Sequence, residues 1–460
     1  MSRLRLGLAA ALLSAAPAGL HAQECTVLDN QSVNVTNRGT PQEIYNVVGA
    51  DIACPGGRRI FADYATIHAA TGTVDLRGNV RFSDPERALA SETAQYDRIN
   101  QRLYARGNVR VRALASNSTL TSEALTYVQA IPGREAHMLA HPGARRPQAV
   151  IRRVQTGMRT ESPRPDSTVV DADLIEAFGE RLFHAAGNAV LTRDSLRASG
   201  GVIDYITATG SLTVAGAAVV EGPRYRLLGD TVRAEVTADT LRAVHARRDA
   251  RLITDELEVV APVIDIALSA GQVERMIAVL LPDQRDGGPL QARVSARSFR
   301  LAADSIEVRA PAQQLEEVVA VGRSFGEMLD TLPPLPLPED AAQGLANDWM
   351  RGDTLHAYFV ANPRAQTDST AEARILERLV AGGEPAAALY RKRAPAAEGA
   401  EGAPEIGYVL ANVIEVRLAD GEVSDVKAEG EVRGMYLQPR AGPAVVGGPA
   451  PAAPAGEPAP

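Results

Sequence analysis

The side chains in this sequence that could perform chemistry are scattered along the chain. Histidine is a frequent metal ligand and general base, and the closest two of the seven histidines are His137 and His141. A proline and a glycine follow directly, so we expect this pair in a loop and not on one face of a helix. Carboxylates are plentiful, but Asp255 and Glu256 are adjacent and would point to opposite faces of a strand. We therefore predict that the chain binds no metal ion.

The sequence motifs of common enzyme classes are also missing. The chain contains no Gly-x-Ser-x-Gly nucleophile elbow, no phosphate-binding P-loop and no His-Glu-x-x-His metal motif. Turnover needs a nucleophile beside a base, or an equivalent set of groups, and the sequence offers none. We therefore predict a protein that is not an enzyme, with no catalytic residues and no cofactor.

The charge and composition of the chain restrict its partners. Its formal net charge is -8, whereas neutralising the phosphates of a nucleic acid needs clustered Lys and Arg. The arginines alternate with acids along the stretches described below, as on a solvated sheet face. Aromatic residues make up only 4% of the chain, and the apolar content is mostly Ala, Val and Leu. We therefore expect no nucleic-acid partner.

Residues 1–22 have the layout of a secretory signal peptide. Arg3 and Arg5 precede an apolar run from Leu6 to Ala16, and small residues lead to a cleavage position near Ala22. The apolar run is too short for a stable membrane span. We therefore predict a soluble, exported protein.

The two cysteines, Cys25 and Cys54, lie in the N-terminal region of the mature chain. An exported protein enters an oxidising compartment, where a disulfide is the expected state of such a pair. We predict a bridge between them, which would stabilise the fold by about 3 kcal/mol.

The element that must position any functional side chain is a repeated strand with a glycine at its centre. In VDLRGNVRF (74–82) and LYARGNVRV (103–111), the glycine and apolar residues alternate with polar ones, which is the period of a strand with one apolar face. Further copies are LFHAAGNAVL (182–191) and SLTVAGAAVV (211–220), with weaker copies later in the chain. The glycines of the six copies are Gly78, Gly107, Gly187, Gly216, Gly322 and Gly430.

A second type of strand recurs at about the same spacing as the glycine strands. The stretches FADYATI, SETAQYD and SEALTYV place tyrosines at 64, 96 and 127. A polar turn such as DRINQ (97–101) would join one of these strands to the next glycine strand. A period near 30 residues is typical of repeat architectures, so we predict a stack of β-hairpins.

The column of glycine and small apolar residues leaves two interpretations open. In the first, small inward residues leave a gap, and the gap forms a groove suited to alkyl chains. In the second, the glycines let the strands bend or the sheets approach closely, and the inward residues only pack the core. The candidate groove residues are Leu76, Val80, Phe82, Leu103, Ala105, Val109, Val111, Phe183, Leu191, Leu212, Val214 and Val220.

Composition divides the chain into segments. We predict β-repeat units at 23–135 and 166–330, a proline-rich linker at 331–345, a third β-unit at 346–440 and a disordered tail at 441–460. One short helix is expected within 368–382 of the third unit. Ser369 or Thr370 would cap it, apolar residues follow at helical spacing from Ile375 to Val380, and Gly382 would end it.

Three motifs in order resemble the OstA-like family of lipopolysaccharide-transport proteins, which includes LptA and the N-terminal domain of LptD. The first is the glycine strand preceded by an Ala-x-Tyr strand, as in ASETAQYD, and it covers about residues 44–130, with a looser match over 166–325. The second is NDWMRGDTLHAYF (347–359) followed by ARILERLVAGGEPAAALYRKR (373–393). The third is GEVSDVKAEGEVRGMYLQP (421–439).

The resemblance implies a fold, a ligand and partners. It implies an open β-jelly-roll whose groove shields the acyl chains of lipopolysaccharide, or of a similar acylated envelope lipid, during transport through the periplasm to the outer membrane. It also implies end-to-end joining through edge strands, either with further copies or with other lipopolysaccharide-transport proteins. The chain departs from the family in being longer than a single-domain member.

We therefore predict an all-β protein built as an open β-jelly-roll of stacked β-hairpin repeats, with one short helix near the C terminus. Its predicted function is non-enzymatic lipid binding in the periplasm, with or without attachment to the outer membrane. The alternative is a structural or interaction module of the cell envelope that has a filled core and no lipid ligand.

Overall fold

The computed structural model describes residues 25–152, 167–179, 181–193, 195–206, 209–237, 240–255, 257–269, 272–281, 291–329, 347–367, 373–392, 404–419 and 421–438. This part of the chain is almost entirely β-strand, as predicted, and it contains no α-helix. The strands are β1 (Thr26–Asp29), β2 (Ser32–Thr36), β3 (Ile44–Cys54), β4 (Arg58–His68), β5 (Thr73–Ser83), β6 (Arg87–Asp97), β7 (Arg102–Ala113), β8 (Thr119–Val128), β9 (His137–His141), β10 (Gln148–Arg152), β11 (Ser167–Asp171), β12 (Leu174–Phe178), β13 (Leu182–Arg193), β14 (Leu196–Ile206), β15 (Ser211–Gly222), β16 (Tyr225–Thr237), β17 (Thr240–Thr254), β18 (Leu257–Ser269), β19 (Gln272–Val279), β20 (Ala292–Ala296), β21 (Phe299–Ala303), β22 (Ser305–Arg309), β23 (Glu317–Met328), β24 (Asp348–Ala361), β25 (Arg374–Lys392), β26 (Glu405–Ala419), β27 (Glu422–Glu429) and β28 (Arg433–Leu437).

Several predicted segments lie outside the described residues. They are the signal peptide at 1–22, the linker at 331–345, the tail at 441–460, and the capping residues of the expected helix at 369 and 370. In the part that the structure describes, no helix has the length and hydrophobicity needed to span a lipid bilayer.

The chain divides into two compact units, residues 1–194 (unit 1) and 195–460 (unit 2). In unit 1, strands β3 to β8 form an antiparallel meander in which each strand pairs with the next. The outer strands are split in two. Both β1 and β2 pair with β3, and on the other side β9 and β10 both pair with β8. Strand β12 pairs with β9, and β11 pairs with β10. Both β11 and β12 then pair with β13.

Unit 2 uses the same plan. Strands β14 to β19 form an antiparallel meander, and β20 pairs with β18 beside β19. Strand β21 pairs with β20, and β22 pairs with β19. Both β21 and β22 then pair with β23. A meander from β23 to β26 follows, and β27 and β28 both pair with β26.

The glycine strands bend at β-bulges. In β5, Gly78 and Asn79 both have positive φ, 74° and 46°, and together they oppose the single residue Glu92 of β6. An extra residue in one strand bends that strand and strengthens its twist. The same pair of left-handed residues begins at Gly107, Gly187, Gly216 and Gly322, while Gly430 has a φ of 94° just after β27.

An acidic side chain from the preceding strand covers the bulge glycine. At Gly107, an added Cβ would lie 2.5 Å from Oε2 of Glu92, and Nδ2 of Asn108 donates a hydrogen bond to Oε1 of the same carboxylate. Two features of this position therefore require glycine: its positive φ and the close approach of the Glu92 carboxylate. The corresponding acids are Asp63 at Gly78, Asp173 at Gly187 and Asp304 at Gly322.

We predict that Gly107→Ala lowers the free energy of unfolding of unit 1 by about 2 kcal/mol or more, because strain at positive φ adds to the collision with Glu92. Gly133→Ala is the matched control, since Gly133 has a φ of 83° and open space where the Cβ would stand. It should cost only the φ strain, about 1 kcal/mol. Chemical denaturation of the two variants measures the difference, and equal losses would contradict a role for the carboxylate.

The bends bring the two halves of the strands face to face. In unit 1, the ring of Phe82 lies 5.9 Å from that of Tyr127. Phe82 pairs with Leu89 in one half of the sheet, whereas Tyr127 pairs with Leu103 in the other half. The ring contact therefore crosses the interior. In unit 2, Phe299 of β21 meets Phe359 of β24 in the same way, with ring centroids 5.3 Å apart.

The predicted short helix is wrong for the residues that the structure describes. Residues 374–392 form strand β25, which lies between β24 and β26 and pairs with both. Leu376 and Leu379 are both buried although they are three residues apart, because a bulge at Glu377 shifts the phase between them. The bulge reproduces the spacing of a helix, and pairing on both sides satisfies the backbone groups of the strand.

The three tyrosines that recur at a similar spacing in the sequence do not occupy equivalent positions in the structure. Tyr96 and Tyr127 are buried in the interior, but Tyr64 is 60% exposed on the outer face. The strand opposite a bulge presents two successive residues outward, Asp63 and Tyr64 in β4 and Glu92 and Thr93 in β6. Tyr64 therefore corresponds to Thr93 and not to Tyr96.

Candidate functional site

The interior of unit 1 is a set of apolar rows that run across the strands. Register connects one such row through nine strands, and no member of the row is more than 7% exposed. Large and small side chains share the row, so that the facing halves of the sheet fit closely together. Its members are Val47, Ala65, Leu76, Ala94, Ala105, Leu125, Ala140, Ile175 and Ala185.

Unit 2 has an equivalent buried row. From β17 onward alanine alternates strictly with isoleucine or leucine, which places one small and one large side chain on successive strands. Every member is at most 2% exposed. The row consists of Ile203, Val214, Val232, Ala246, Ile264, Ala278, Ile306, Ala320, Leu355, Ala381 and Ile414.

The structure places all twelve candidate groove residues in the inward phase of their strands. Nine of them are buried, namely Leu76, Val80, Phe82, Leu103, Ala105, Val109, Val111, Leu191 and Val214. The other three, Phe183, Leu212 and Val220, are half-buried. The inward position is thus common to all, while contact with solvent is limited to three.

One apolar row of unit 2 is partly accessible at the first four strands of that unit. Register connects Tyr205, Leu212, Ala234 and Val244, and all four are half-buried. The same row continues through strands β18, β19, β22 and β23 as fully buried residues, namely Ile266, Met276, Val308 and Val318. This apolar row therefore changes along its length from partly accessible to buried.

In unit 1, a group of polar side chains closes the interior where the strand ends of the two halves meet. Nη1 of Arg58 donates to Oε1 of Gln129 at 2.5 Å, and the hydroxyl of Tyr96 donates to the same oxygen at 3.4 Å. We call this group, together with the contacts of Tyr127 described next, the polar seam. Gln129 is 3% exposed, and its Nε2 has no hydrogen-bond partner in the described part of the chain.

Tyr127 provides the second half of the polar seam. Its hydroxyl donates to Oδ2 of Asp84 at 2.7 Å and accepts from Nη1 of Arg87 at 3.2 Å. Burial and the neighbouring Asp84 carboxylate raise the pKa of the Tyr127 phenol well above its ordinary value, so the phenol stays neutral and can donate. Asp84 and Tyr127 are 43 residues apart in sequence, and only the bending of the strands brings them together.

A buried ion pair lies at one end of β24 in unit 2. Nε of Arg391 contacts Oδ1 of Asp348 at 2.5 Å, and the two side chains are 1% and 0% exposed. Oδ2 of Asp348 and Nε1 of the adjacent Trp349 have no hydrogen-bond partner among the described residues. Buried charges need a partner, so this pair fixes the approach of β24 and β25.

Sequence reasoning missed the polar seam and the buried ion pair. A signal was present for Arg87, because it shares the phase of Leu89 and Ser91 in β6 and would be expected to face inward. No local pattern identifies its contact with Tyr127, which comes from β8.

The histidine pair lies on a strand and not in the predicted loop. His137 and His141 are the end residues of β9, where Nε2 of His137 lies 2.6 Å from Oε1 of Glu176 and Nε2 of His141 lies 2.9 Å from Oγ1 of Thr126. Pairing of β9 with both β8 and β12 explains the difference, since it satisfies the backbone on both sides. No group of three or more potential metal ligands occurs in the described ranges.

Comparison with known proteins adds no family assignment. A search against models of protein families finds no match to the chain, and a search of curated proteins finds no similar sequence.

Proposed function

We propose that this protein binds the acyl chains of lipopolysaccharide or a similar envelope lipid in the interior between its bent half-sheets, and carries them through the periplasm towards the outer membrane. In this proposal the bent sheets are open β-jelly-rolls of the OstA-like kind. The protein acts without turnover, so it needs neither cofactor nor catalytic residue.

The observation that carries the proposal is the half-buried row of Tyr205, Leu212, Ala234 and Val244, which leads into the dry rows of unit 2. An acyl chain laid along this row removes its methylenes from water, and each contributes roughly 0.8 kcal/mol. A chain of about a dozen carbons therefore gains on the order of 10 kcal/mol before the costs of ordering are subtracted. Such a gain is sufficient to hold an amphiphile without covalent chemistry.

In unit 1, binding has to open the polar seam. The inward residues there are already packed against one another, so an acyl chain can enter only if the two halves of the sheet separate. Arg58, Gln129 and Tyr127 would then exchange their partners for water. The polar seam consists of a few hydrogen bonds, each of which contributes roughly 1 kcal/mol net. Burial of several acyl chains of one ligand would therefore offset the free energy of opening the seam.

The buried interior of unit 1 favours a second candidate function. Eight of the nine candidate groove residues in unit 1 are buried by the protein itself. A filled core of this kind needs no ligand and is what a structural or interaction module of the cell envelope would contain. This alternative predicts that no lipid binds to either unit.

We further propose that the edge strands mediate association, either with another copy or with other lipopolysaccharide-transport proteins. Within the described residues, β28 pairs only with β26, and its side chains Met435, Tyr436 and Leu437 are all at least half exposed. In the described part of unit 1, β1 and β2 pair only with β3. Unpaired edges of this kind can add a strand from a partner.

The test of lipid binding is photo-crosslinking from the accessible row. Benzoylphenylalanine in place of Leu212 should label lipopolysaccharide on irradiation, because this position points into the proposed groove. Thr213 is the matched control, since it is the next residue of the same strand and points outward. We expect strong labelling from 212 and at most background labelling from 213.

Equal labelling from the two positions, or none from either in a protein whose circular dichroism shows it to be folded, would contradict the proposal and favour the filled module. Benzoylphenylalanine at Phe183 supplies an independent test in unit 1, because there an aromatic side chain replaces a half-buried aromatic one. Labelling from 212 alone would restrict the groove to unit 2.

A further inference from the structure

The outer face of unit 1 carries arginines that have no acidic partner. We call Arg77, Arg81, Arg106, Arg110 and Arg112 the arginine face; all five are exposed, on strands β5 and β7. Register places Arg81 and Arg110 on either side of Ala90, so their strands are about 10 Å apart. None of the five has a carboxylate within salt-bridge distance in the part of the chain that the structure describes. The alternation of arginines with acids in sequence therefore does not produce ion pairs here.

The acids around these arginines have other partners. Asp75 contacts His68 and accepts from Gln95, and Asp84 accepts from Tyr127. Asp63 and Glu92 lie over the bulge glycines and accept hydrogen bonds from Asn79 and Asn108. The small residues Ala88 and Ala90 occupy the strand between the arginines. The guanidinium groups of Arg81 and Arg106 lie over the rings of Phe61 and Tyr104, 5.9 and 4.6 Å from the ring centroids. This part of the outer face is therefore cationic, and the strand between the arginines carries small side chains.

The outer face of unit 2 is different. Three of its exposed arginines pair with acids, Arg275 with Glu307, Arg309 with Glu317 and Arg323 with Asp304, at 2.6 to 2.9 Å. The net charge is distributed in the same sense, with 20 Arg and Lys against 19 Asp and Glu in residues 23–194 and 26 against 37 in residues 195–460. The arginine face is thus a cluster of exposed cations without a carboxylate partner among the described residues, on a chain that is acidic overall.

Exposed aromatic rings border the arginine face. Phe61 is 38% and Tyr64 is 60% exposed, and register pairs Phe61 with Arg81 and Tyr64 with Arg77. Guanidinium groups bind phosphate oxygens in a forked geometry, and aromatic rings favour the headgroup region of a bilayer. A soluble polyanion would use the arginines but would gain nothing from Phe61.

We propose that the arginine face binds the phosphate-bearing surface of an anionic lipid bilayer. The arginines lie against lipid phosphates, and Phe61 and Tyr64 insert their rings among the headgroups. This contact is on the outer face and is independent of lipid binding in the interior.

Co-sedimentation of the full mature chain with vesicles tests this inference. The chain should bind vesicles in which about a third of the lipid is phosphatidylglycerol and the rest phosphatidylcholine, should not bind pure phosphatidylcholine vesicles, and should be released by salt. The triple variant Arg81→Gln, Arg110→Gln, Arg112→Gln should bind the anionic vesicles about a hundredfold more weakly, because each basic residue at such a surface contributes roughly fivefold.

The matched control is the triple variant Arg275→Gln, Arg309→Gln, Arg323→Gln. It lowers the net charge by the same three units but alters only paired arginines on unit 2, so it should bind within about threefold of the parent chain. Both sets of positions are exposed, and circular dichroism confirms that the variants are folded.

Three results would overturn the inference. The first is equal binding of the two triple variants, which would reduce the effect to net charge. The second is equal binding to neutral and anionic vesicles. The third is loss of self-association in the Arg81, Arg110 and Arg112 variant without any loss of vesicle binding, which would identify the acidic surface of another copy as the partner. A further decrease in binding on Phe61→Ala would support bilayer contact over soluble polyphosphate.

Discussion

Replacing Asp348 with alanine should lower the free energy of unfolding of unit 2 by about 3–5 kcal/mol. The change removes the carboxylate that lies 2.5 Å from Nε of the buried Arg391, and removal of one partner of a buried ion pair is among the most costly changes in a protein. Trp349, the single tryptophan of the chain, lies beside the pair, so its fluorescence reports the unfolding of this region during urea denaturation.

Two further variants separate the causes of this effect. Asp255→Ala removes the acid of an exposed pair with Arg224, and it should change the stability by less than about 0.5 kcal/mol. The double variant Asp348→Leu, Arg391→Leu removes both buried charges and should recover most of the loss, since apolar replacement of a buried pair is often neutral. A single variant as stable as the parent chain would show that the pair is not buried in solution.

Removing the disulfide should have the second largest effect. The bridge joins Cys25 to Cys54 across 29 residues and ties the start of β1 to the end of β3. A loop of this length restricts the unfolded chain by about 3–4 kcal/mol, so Cys25→Ser with Cys54→Ser should destabilise unit 1 by that amount. The measurement is hydrogen exchange of the amides in β3, read by mass spectrometry.

Which unit loses stability when the disulfide is removed is as informative as the amount of stability lost. The disulfide closes only the edge of unit 1, so the Trp349 transition in unit 2 should not move when the cysteines are replaced. Addition of a reductant to the parent chain should reproduce the effect of the double variant. Unchanged exchange in β3 under both treatments would contradict a stabilising role for the bridge.

Much of the fold could be predicted from local sequence, because a strand with one apolar face has a period of two. The phases of Leu76, Val80 and Phe82 follow directly from that period, and all three face inward. The glycine at the centre of the pattern indicated a bend or a groove without deciding between them. Its role depends on Glu92 and the equivalent acids, which come from the neighbouring strand.

Two of the errors, the predicted helix and the apparent equivalence of the tyrosines, share a physical origin, which is that bulges break the period of the strand. The bulge at Glu377 separates two inward leucines by three residues and imitates a helix. The bends also shift the phase of the opposing strands, so Tyr64 and Tyr96 look equivalent in sequence and face opposite sides. Register shifts of this kind depend on the pairing of whole strands and are not visible in a short window.

The polar parts of the site were beyond sequence reasoning for a different reason. Arg58 and Gln129 are 71 residues apart, so their contact exists only once the sheet has bent and distant strands have met. Asp348 and Arg391 are 43 residues apart, and the pairing of β24 with β25 brings them together. A sequence shows that such side chains are present and in which phase. It does not show which residue will oppose them across the interior.

The central claim is that the interior holds acyl chains, and mass spectrometry of lipid extracted from the purified mature protein tests it most directly. The protein would be isolated from the periplasm of a Gram-negative host without detergent, and then incubated with detergent-dispersed lipopolysaccharide. We predict that an acylated lipid co-purifies with the protein or is taken up in an amount close to that of the protein. A folded protein that carries no lipid and takes up none would contradict the carrier function and leave the filled envelope module as the better description.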